Sequence, residues 1–203
     1  MATDRAPLLR SAVRLSAFTI AWNGAVGAAS LLVSFISPSL ALAGFGFTAL
    51  LDASASVVLV RRFQREQRDP VAAERFERRA QAWVAAAMLA IATYVAVQAI
   101  RGLVGHFHPE ASASGVTLAA AGLVVLPYLG LLKLRVAARL GSAALRGDGT
   151  LTIASAALAA TTLSALVVNS AFGWWWADPA AALLIALALA SEATRIAVRH
   201  RFG

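Results

Sequence analysis

Residues 39–60, SLALAGFGFTALLDASASVVLV, form an apolar run that contains a single charged residue, Asp52. An α-helix of roughly 20 apolar residues crosses the hydrocarbon core of a bilayer, so this run is long enough to span a membrane. A carboxylate placed in hydrocarbon costs at least ~2.5 kcal/mol on insertion scales, and such acids usually face other helices or water and serve a function. The stretch therefore predicts a membrane helix that carries a candidate functional residue.

The rest of the chain has the same character. It has 203 residues, of which 60% are hydrophobic and 14% are charged, and a mean hydropathy of +0.73. About a quarter of the residues of soluble domains are charged, so this composition argues against a soluble globular domain. We expect membrane spans at about 15–36, 39–60, 80–100, 115–132, 140–172 and 179–198. This predicts an all-α membrane protein, a six-transmembrane-helix bundle that forms a single domain over residues 1–203 with no soluble domain.

Charge is distributed unevenly between the breaks that separate these runs. The net charge is +8, and all but one of the 18 basic residues are arginine. Basic residues crowd into 5–14, 61–79, 133–139 and 195–201, whereas 37–39, 102–114 and 173–178 contain none. Because lysine and arginine are retained on the cytoplasmic side, we expect both termini to be cytoplasmic in a multi-pass protein of the cell membrane. The basic charge then indicates lipid as the partner and no nucleic acid.

Two acids lie well inside predicted spans. Asp52 is eight residues from the inner end of span two, and Asp148 is eight residues from the inner start of span five. At 1.5 Å per residue both lie ~12 Å from the same face of the membrane. Two carboxyl groups on different helices at one depth can converge on one site, and we expect these two to do so.

Other polar residues flank these acids. Thr48 and Asp52 are four residues apart, as are Asp148 and Thr152, so each pair shares a helix face. Asp178 lies near a span end directly before a proline, and we expect it to cap the sixth helix.

Several short motifs follow one another along the chain. They are Trp22-Asn23, Gly44-Phe45-Gly46 before Asp52 and Ser54, Glu74-Arg75 and Glu77-Arg78-Arg79, Leu140-Gly141-Ser142 before Leu145-Arg146 and Asp148, and the run FGWWWADP at 172–179. In these motifs most of the chain resembles the cation diffusion facilitator (cation efflux) superfamily, in particular its short bacterial branch related to transmembrane protein 163.

The resemblance implies a six-helix transporter, usually a homodimer, that exchanges a divalent cation such as zinc for protons. It also implies a metal site between spans two and five, with two ligands per helix four residues apart. Mapped onto this chain, those pairs are Thr48 with Asp52 and Ala144 with Asp148, so only the aspartates keep a carboxylate. Two further polar positions of the family are occupied by Val26 and Leu151. The resemblance therefore implies a reduced metal site formed by the two aspartates.

The available ligand types bear on the ion. The chain has no cysteine, and we expect its histidines, His106, His108 and His200, to lie in an outer loop and at the tail. Zinc prefers Cys, His and carboxylate ligands, whereas oxygen ligands alone suit harder ions. The candidate substrate- or ion-binding residues are Asp52, Asp148, Thr48, Thr152, Asn23 and Trp22, with a divalent cation, zinc or a harder ion, as the possible cofactor or cargo.

Two other functions remain open at this stage. A carboxylic acid in an apolar cavity could act as a Brønsted acid on a lipophilic prenyl substrate, which would make the protein a membrane-bound cyclase or isomerase of the terpene-cyclase type. Asp52 and Asp148 would then be catalytic, and aromatic faces would stabilise the cation. The candidate aromatic residues are Trp22, Phe45, Phe47, Trp83 and Tyr128. The second alternative is a non-transporting membrane scaffold in which the aspartates are structural.

Overall fold

The computed structural model describes residues 5–66, 70–105 and 112–202, and these residues form six helices. The helices are α1 (Arg5–Ile36), α2 (Leu40–Glu66), α3 (Pro70–Val104), α4 (Ala113–Leu140), α5 (Ala143–Phe172) and α6 (Ala177–Phe202). Each contains a segment long and apolar enough to cross a membrane. The six predicted spans and the all-α fold class are therefore confirmed, while His106 and His108 lie outside the described residues.

The predicted boundary between spans four and five is wrong. Residues 133–139 were expected to form an inner loop, but α4 continues through them to Leu140. The break lies at Gly141, which adopts a left-handed conformation with φ 64° and donates its N–H to the carbonyl of Ala137. Ser142 then caps α5 by accepting a hydrogen bond from the N–H of Leu145. Glycine and serine are the residue types that end and begin helices, so Lys133 lies about two turns inside α4.

The first two helices approach each other closely where two glycines meet. A Cβ atom added to Gly46 would lie 3.0 Å from the carbonyl oxygen of Gly27, and one added to Gly27 would lie 2.9 Å from that of Gly46. Small residues allow membrane helices to pack at such short distances. This contact brings Asn23 of α1 towards the middle of α2.

The α4 and α5 pair is built in the same way. A Cβ atom added to Gly130 would lie 3.2 Å from the carbonyl oxygen of Gly149 and would collide with the side chain of Ile153. On the other side, a Cβ atom added to Gly149 would lie 3.1 Å from the Cβ of Lys133. The absence of a side chain at position 149 therefore lets the base of the Lys133 side chain pack directly on α5.

The N-terminal ends of α2 and α6 are joined by a buried acid. Asp178 accepts a hydrogen bond from the backbone N–H of Leu40 at 2.8 Å and another from the hydroxyl of Ser39. Asp178 was expected to cap its own helix, but its carboxylate instead meets the first N–H groups of α2, which have no partner within that helix. A negative charge at a helix N-terminus also interacts favourably with the helix dipole.

An apolar core surrounds α2. Leu51 of α2 packs with alanines and larger aliphatic side chains of α3 and α6, among them Met88, Ile185 and Leu189. On the opposite side, Phe45 is fully buried against residues of α1, α4 and α5. Helix α2 is therefore enclosed on both sides, which places Asp52 in the interior of the bundle.

Candidate cation site

Asp52 is buried at the contact of α1, α2 and α5, with 1% of its surface exposed. The amide Nδ2 of Asn23 donates a hydrogen bond to Asp52 Oδ2 at 2.7 Å. The hydroxyl of Thr152 lies 3.3 Å from Asp52 Oδ1 and also 3.0 Å from the carbonyl oxygen of Asp148. Asp52 Oδ2 thus has a donor from a neighbouring helix, while Oδ1 shares the single hydroxyl proton of Thr152 with the carbonyl oxygen of Asp148.

Asp148 lies on α5 and is also buried. The hydroxyl of Ser56, on α2, donates to Asp148 Oδ1 at 2.8 Å. The ammonium nitrogen of Lys133, on α4, lies 2.7 Å from Asp148 Oδ2. Asp148 is therefore one half of an ion pair inside the bundle.

The two acids form a reciprocal arrangement on antiparallel helices. Asp52 of α2 meets Thr152 of α5, and Ser56 of α2 meets Asp148 of α5. A step of four residues forward along α2 matches a step of four residues backward along α5, so each acid lies opposite the other helix's hydroxyl. The expected convergence is present, but the carboxyl groups are not at one depth: they are offset by one helical turn, or ~6 Å.

Lys133 joins the two acid–hydroxyl pairs and was missed by the sequence reasoning. Its ammonium donates to Ser56 Oγ at 3.2 Å and to Thr152 Oγ1 at 3.0 Å, in addition to its contact with Asp148. An ammonium has three N–H groups, and all three find an oxygen here. The side chain of Lys133 is fully buried. The signal that could have located it is Gly141-Ser142, which ends one helix and begins the next well beyond this lysine.

The burial of this ion pair is energetically demanding. Removing two charges from water costs several kcal/mol per ion, and the loss is offset only when the pair has good geometry and its other polar atoms are hydrogen-bonded. Ser56 and Thr152 meet that condition by accepting the remaining ammonium protons. The cluster as a whole contains two carboxylates and one ammonium, so with all three ionised it keeps one negative charge that the described residues do not balance.

Asn23 has a buried polar atom that lacks a hydrogen-bond partner within the described part of the chain. Its amide oxygen Oδ1 is buried and has no hydrogen-bond partner among the described residues. The amide nitrogen of the same side chain is fixed on Asp52. An acceptor oxygen therefore lies next to Asp52, the carboxylate for which the described residues show no ion pair.

Two of the predicted site residues are not part of the cluster. The hydroxyl of Thr48 donates to the carbonyl of Gly44 in its own helix at 2.8 Å. Trp22 stacks on Phe18 with ring centroids 6.3 Å apart, and it packs beside the apolar cluster around Phe45. Neither residue contacts Asp52 or Asp148 through a hydrogen bond that the structure shows.

The other positions at which the resemblance implies metal ligands carry side chains without a ligand atom. Val26 is buried among apolar residues, and Ala144 and Leu151 pack against apolar clusters. Across residues 5–66, 70–105 and 112–202, no group of three or more His, Cys, Asp or Glu residues could hold a metal ion. The cluster is thus an oxygen-rich site with its own ammonium, which differs from the four-ligand sites that zinc prefers.

Three of the five aromatic residues proposed for acid catalysis lie on the surface of the bundle or beside a pocket. Trp83 and Tyr128 are exposed on the outside of the bundle, at 79% and 66%. Phe47 lines a pocket that lies between the C-terminal ends of α1 and α3 and the N-terminal half of α2. Trp83 and Tyr128 are thus exposed while Asp52 is buried, so these two rings are poorly placed to stabilise a carbocation beside it.

The fold is that of a multi-pass membrane protein with six helices able to span the bilayer. The sequence model described as "Cation efflux transmembrane domain" matches residues 16–201, which is most of the chain. The protein therefore belongs to the cation efflux family. No curated protein gives a significant sequence match.

Proposed function

We propose that this protein exchanges a cation for protons across the membrane through the site that Asp52 and Asp148 form between α2 and α5. The observation that carries the proposal is the charge imbalance of the buried cluster, which contains two carboxyl groups and a single ammonium. A net charge inside a bilayer-spanning bundle is costly. A bound cation, or protons in its absence, would neutralise it.

The oxygen atoms available as ligands favour a hard cation as cargo. The cluster offers carboxylate oxygens, the amide oxygen of Asn23 and the hydroxyls of Ser56 and Thr152. Oxygen ligands suit Mg²⁺, Ca²⁺ and Mn²⁺ better than Zn²⁺, which prefers imidazole and thiolate. Mn²⁺ is the most useful first probe because it accepts oxygen ligands and is easily detected.

Orientation, membrane and assembly are further parts of this proposal. The arginine-rich segments support cytoplasmic termini in the cell membrane, because basic residues are retained on that side. The family resemblance supports a homodimer. The orientation and the dimer are independent of the cation site, so either can be wrong while the site proposal holds.

Transport can be measured with the purified full chain in proteoliposomes that contain a Mn²⁺-sensitive dye and, separately, a pH-sensitive dye. We expect Mn²⁺ uptake coupled to proton movement in the opposite direction, with weaker uptake of Zn²⁺. Asp52→Asn and Asp148→Asn preserve side-chain size and should abolish most of the uptake. The matched control is Glu192→Gln, which changes a partly exposed acid of α6 that pairs only with Arg195 in the described part of the chain.

Two results would contradict the proposal. One is a wild-type protein that is folded and correctly inserted but moves none of Mn²⁺, Mg²⁺, Ca²⁺ or Zn²⁺. The other is normal uptake by both asparagine variants. Because Asp148→Asn also leaves Lys133 without its counter-ion, Asp52→Asn is the cleaner variant, and unfolding temperatures should be recorded for both.

A further inference from the structure

The ammonium of Lys133 occupies a place that suits a small cation. Three oxygens surround it at 2.7 to 3.2 Å, one each from Asp148, Thr152 and Ser56. The same atoms, together with Asp52, are the oxygen ligands proposed above for the cargo. The built-in ammonium and a transported cation would therefore compete for one set of ligands.

We propose that Lys133 is a tethered counter-cation: it fills the site when no cargo is bound, and an arriving divalent cation displaces its ammonium from Asp148. This inference rests on the proposed function, since it assigns a role within that transport site. Lys133 would thereby set both the affinity for the cargo and the stability of the unloaded carrier.

The charge of the cluster supports displacement. With Lys133 in place and both aspartates ionised, the cluster has a net charge of −1; a divalent cation added to it would bring the charge to +1. If the ammonium leaves as the divalent cation arrives, the site is neutral. Because charge interactions are strong in a low-dielectric interior, the neutral arrangement is favoured.

The residue type also supports this role. Lys133 is the only lysine of the chain, whereas the other 17 basic residues are arginine. Lysine carries a compact charge on a flexible four-carbon stem with three rotatable donors, while the arginine guanidinium is a planar fork of fixed geometry. A side chain that must enter and leave a cation-sized cage needs the former.

The packing of α4 on α5 holds the base of the Lys133 side chain. Gly149 lies against the Cβ of Lys133, and the three polar contacts of the side chain are all made by its terminal nitrogen. Displacement of the ammonium therefore breaks contacts at a single atom of the side chain.

A purely structural ion pair makes a different prediction. If Lys133 only stabilises the fold, removing its charge lowers cation affinity and transport together. If Lys133 competes with the cargo, removing its charge tightens cation binding but slows transport, because the unloaded carrier loses the cation that neutralises Asp148.

The experiment compares Lys133→Met and Lys133→Gln with wild type, using the full chain in detergent and in proteoliposomes. Methionine keeps the length of the stem, and glutamine keeps a hydrogen-bond donor for Asp148. Arg139→Met is the matched control, because Arg139 is an exposed basic residue of the same helix. Equilibrium binding is measured with Mn²⁺ and with Ca²⁺, and flux is measured with the same ions.

We expect both Lys133 variants to bind Mn²⁺ or Ca²⁺ at least about tenfold more tightly than wild type and to transport it at least about tenfold more slowly, while Arg139→Met matches wild type. If a variant is unstable when purified without divalent cations, millimolar Mn²⁺ should restore its stability. Unchanged or weaker binding by both variants overturns the inference, as does failure of Mn²⁺ and Ca²⁺ to stabilise variants that do not otherwise fold.

The two proposals fail in different ways. If wild type transports cations but the Lys133 variants bind them no more tightly, only the role of Lys133 is wrong. If wild type transports none of the tested cations, the proposed function is wrong, whatever the binding measurements show.

Discussion

The contact between Asp178 and the start of α2 gives a quantitative prediction about stability. Replacing Asp178 with alanine removes the acceptor for the Leu40 N–H at 2.8 Å and for the Ser39 hydroxyl, and it leaves that N–H without its partner at a part-buried position. A hydrogen bond to a charged group contributes about 1.5–3 kcal/mol, and loss of an N-cap costs about 0.5–2 kcal/mol. Since the two effects overlap, we expect Asp178→Ala to lower the free energy of unfolding by about 2–4 kcal/mol.

The measurement is the unfolding temperature of the purified protein in detergent, followed by circular dichroism of the helices. A loss of about 2–4 kcal/mol corresponds to a decrease of about 4–16 °C for a chain of this size. Asp178→Asn keeps one acceptor oxygen and the side-chain volume, so it should show a smaller decrease. Glu192→Ala is the control: its pair with Arg195, at 3.6 Å, is partly exposed and contributes about 0–1 kcal/mol. Equal unfolding temperatures for Asp178→Ala and Glu192→Ala would refute the reasoning.

Two further predictions concern packing and orientation. Gly46→Ala should lower the free energy of unfolding by about 1–3 kcal/mol, because the new Cβ would lie 3.0 Å from the carbonyl oxygen of Gly27. In the same unfolding assay Gly24→Ala should be neutral or slightly stabilising, because no atom lies within 4 Å of its new Cβ. Since the chain has no cysteine, Ser114→Cys and Gln64→Cys each introduce a single thiol. A membrane-impermeant maleimide should label Cys at position 114 in intact cells and Cys at position 64 only after permeabilisation. The reverse labelling pattern would contradict the predicted orientation.

Part of the site could be predicted from local sequence. The two aspartates are conspicuous because charge is rare and costly in apolar spans, and Thr152 follows Asp148 by one helical turn. Asn23 was selected through the family resemblance, and its amide does contact Asp52. Thr48 was selected by the same spacing, yet its hydroxyl bonds to its own helix backbone. A hydroxyl in a helix can always bond the preceding turn, so spacing alone cannot decide between these alternatives.

Lys133 could not be assigned in this way because its local sequence has two interpretations. A lysine followed by two arginines after an apolar run is typical of an inner loop, and only its distance from Gly141-Ser142 indicates a position within α4. Its partners Asp148 and Ser56 are 15 and 77 residues away along the chain. Such contacts depend on how α4 packs on α5 and α2.

The amino-acid sequence by itself determined that the chain crosses a membrane as six helices and that two acids lie within them. Helix length and burial in lipid follow from local composition, because lipid leaves the backbone no hydrogen-bond partners outside the helix. The tertiary structure decided which polar groups meet: the lysine in the cation cluster, the one-turn offset between the acids, and the acid of α6 at the start of α2. These contacts depend on close packing at paired glycines and on the relative rotation of the helices, which composition and periodicity do not specify.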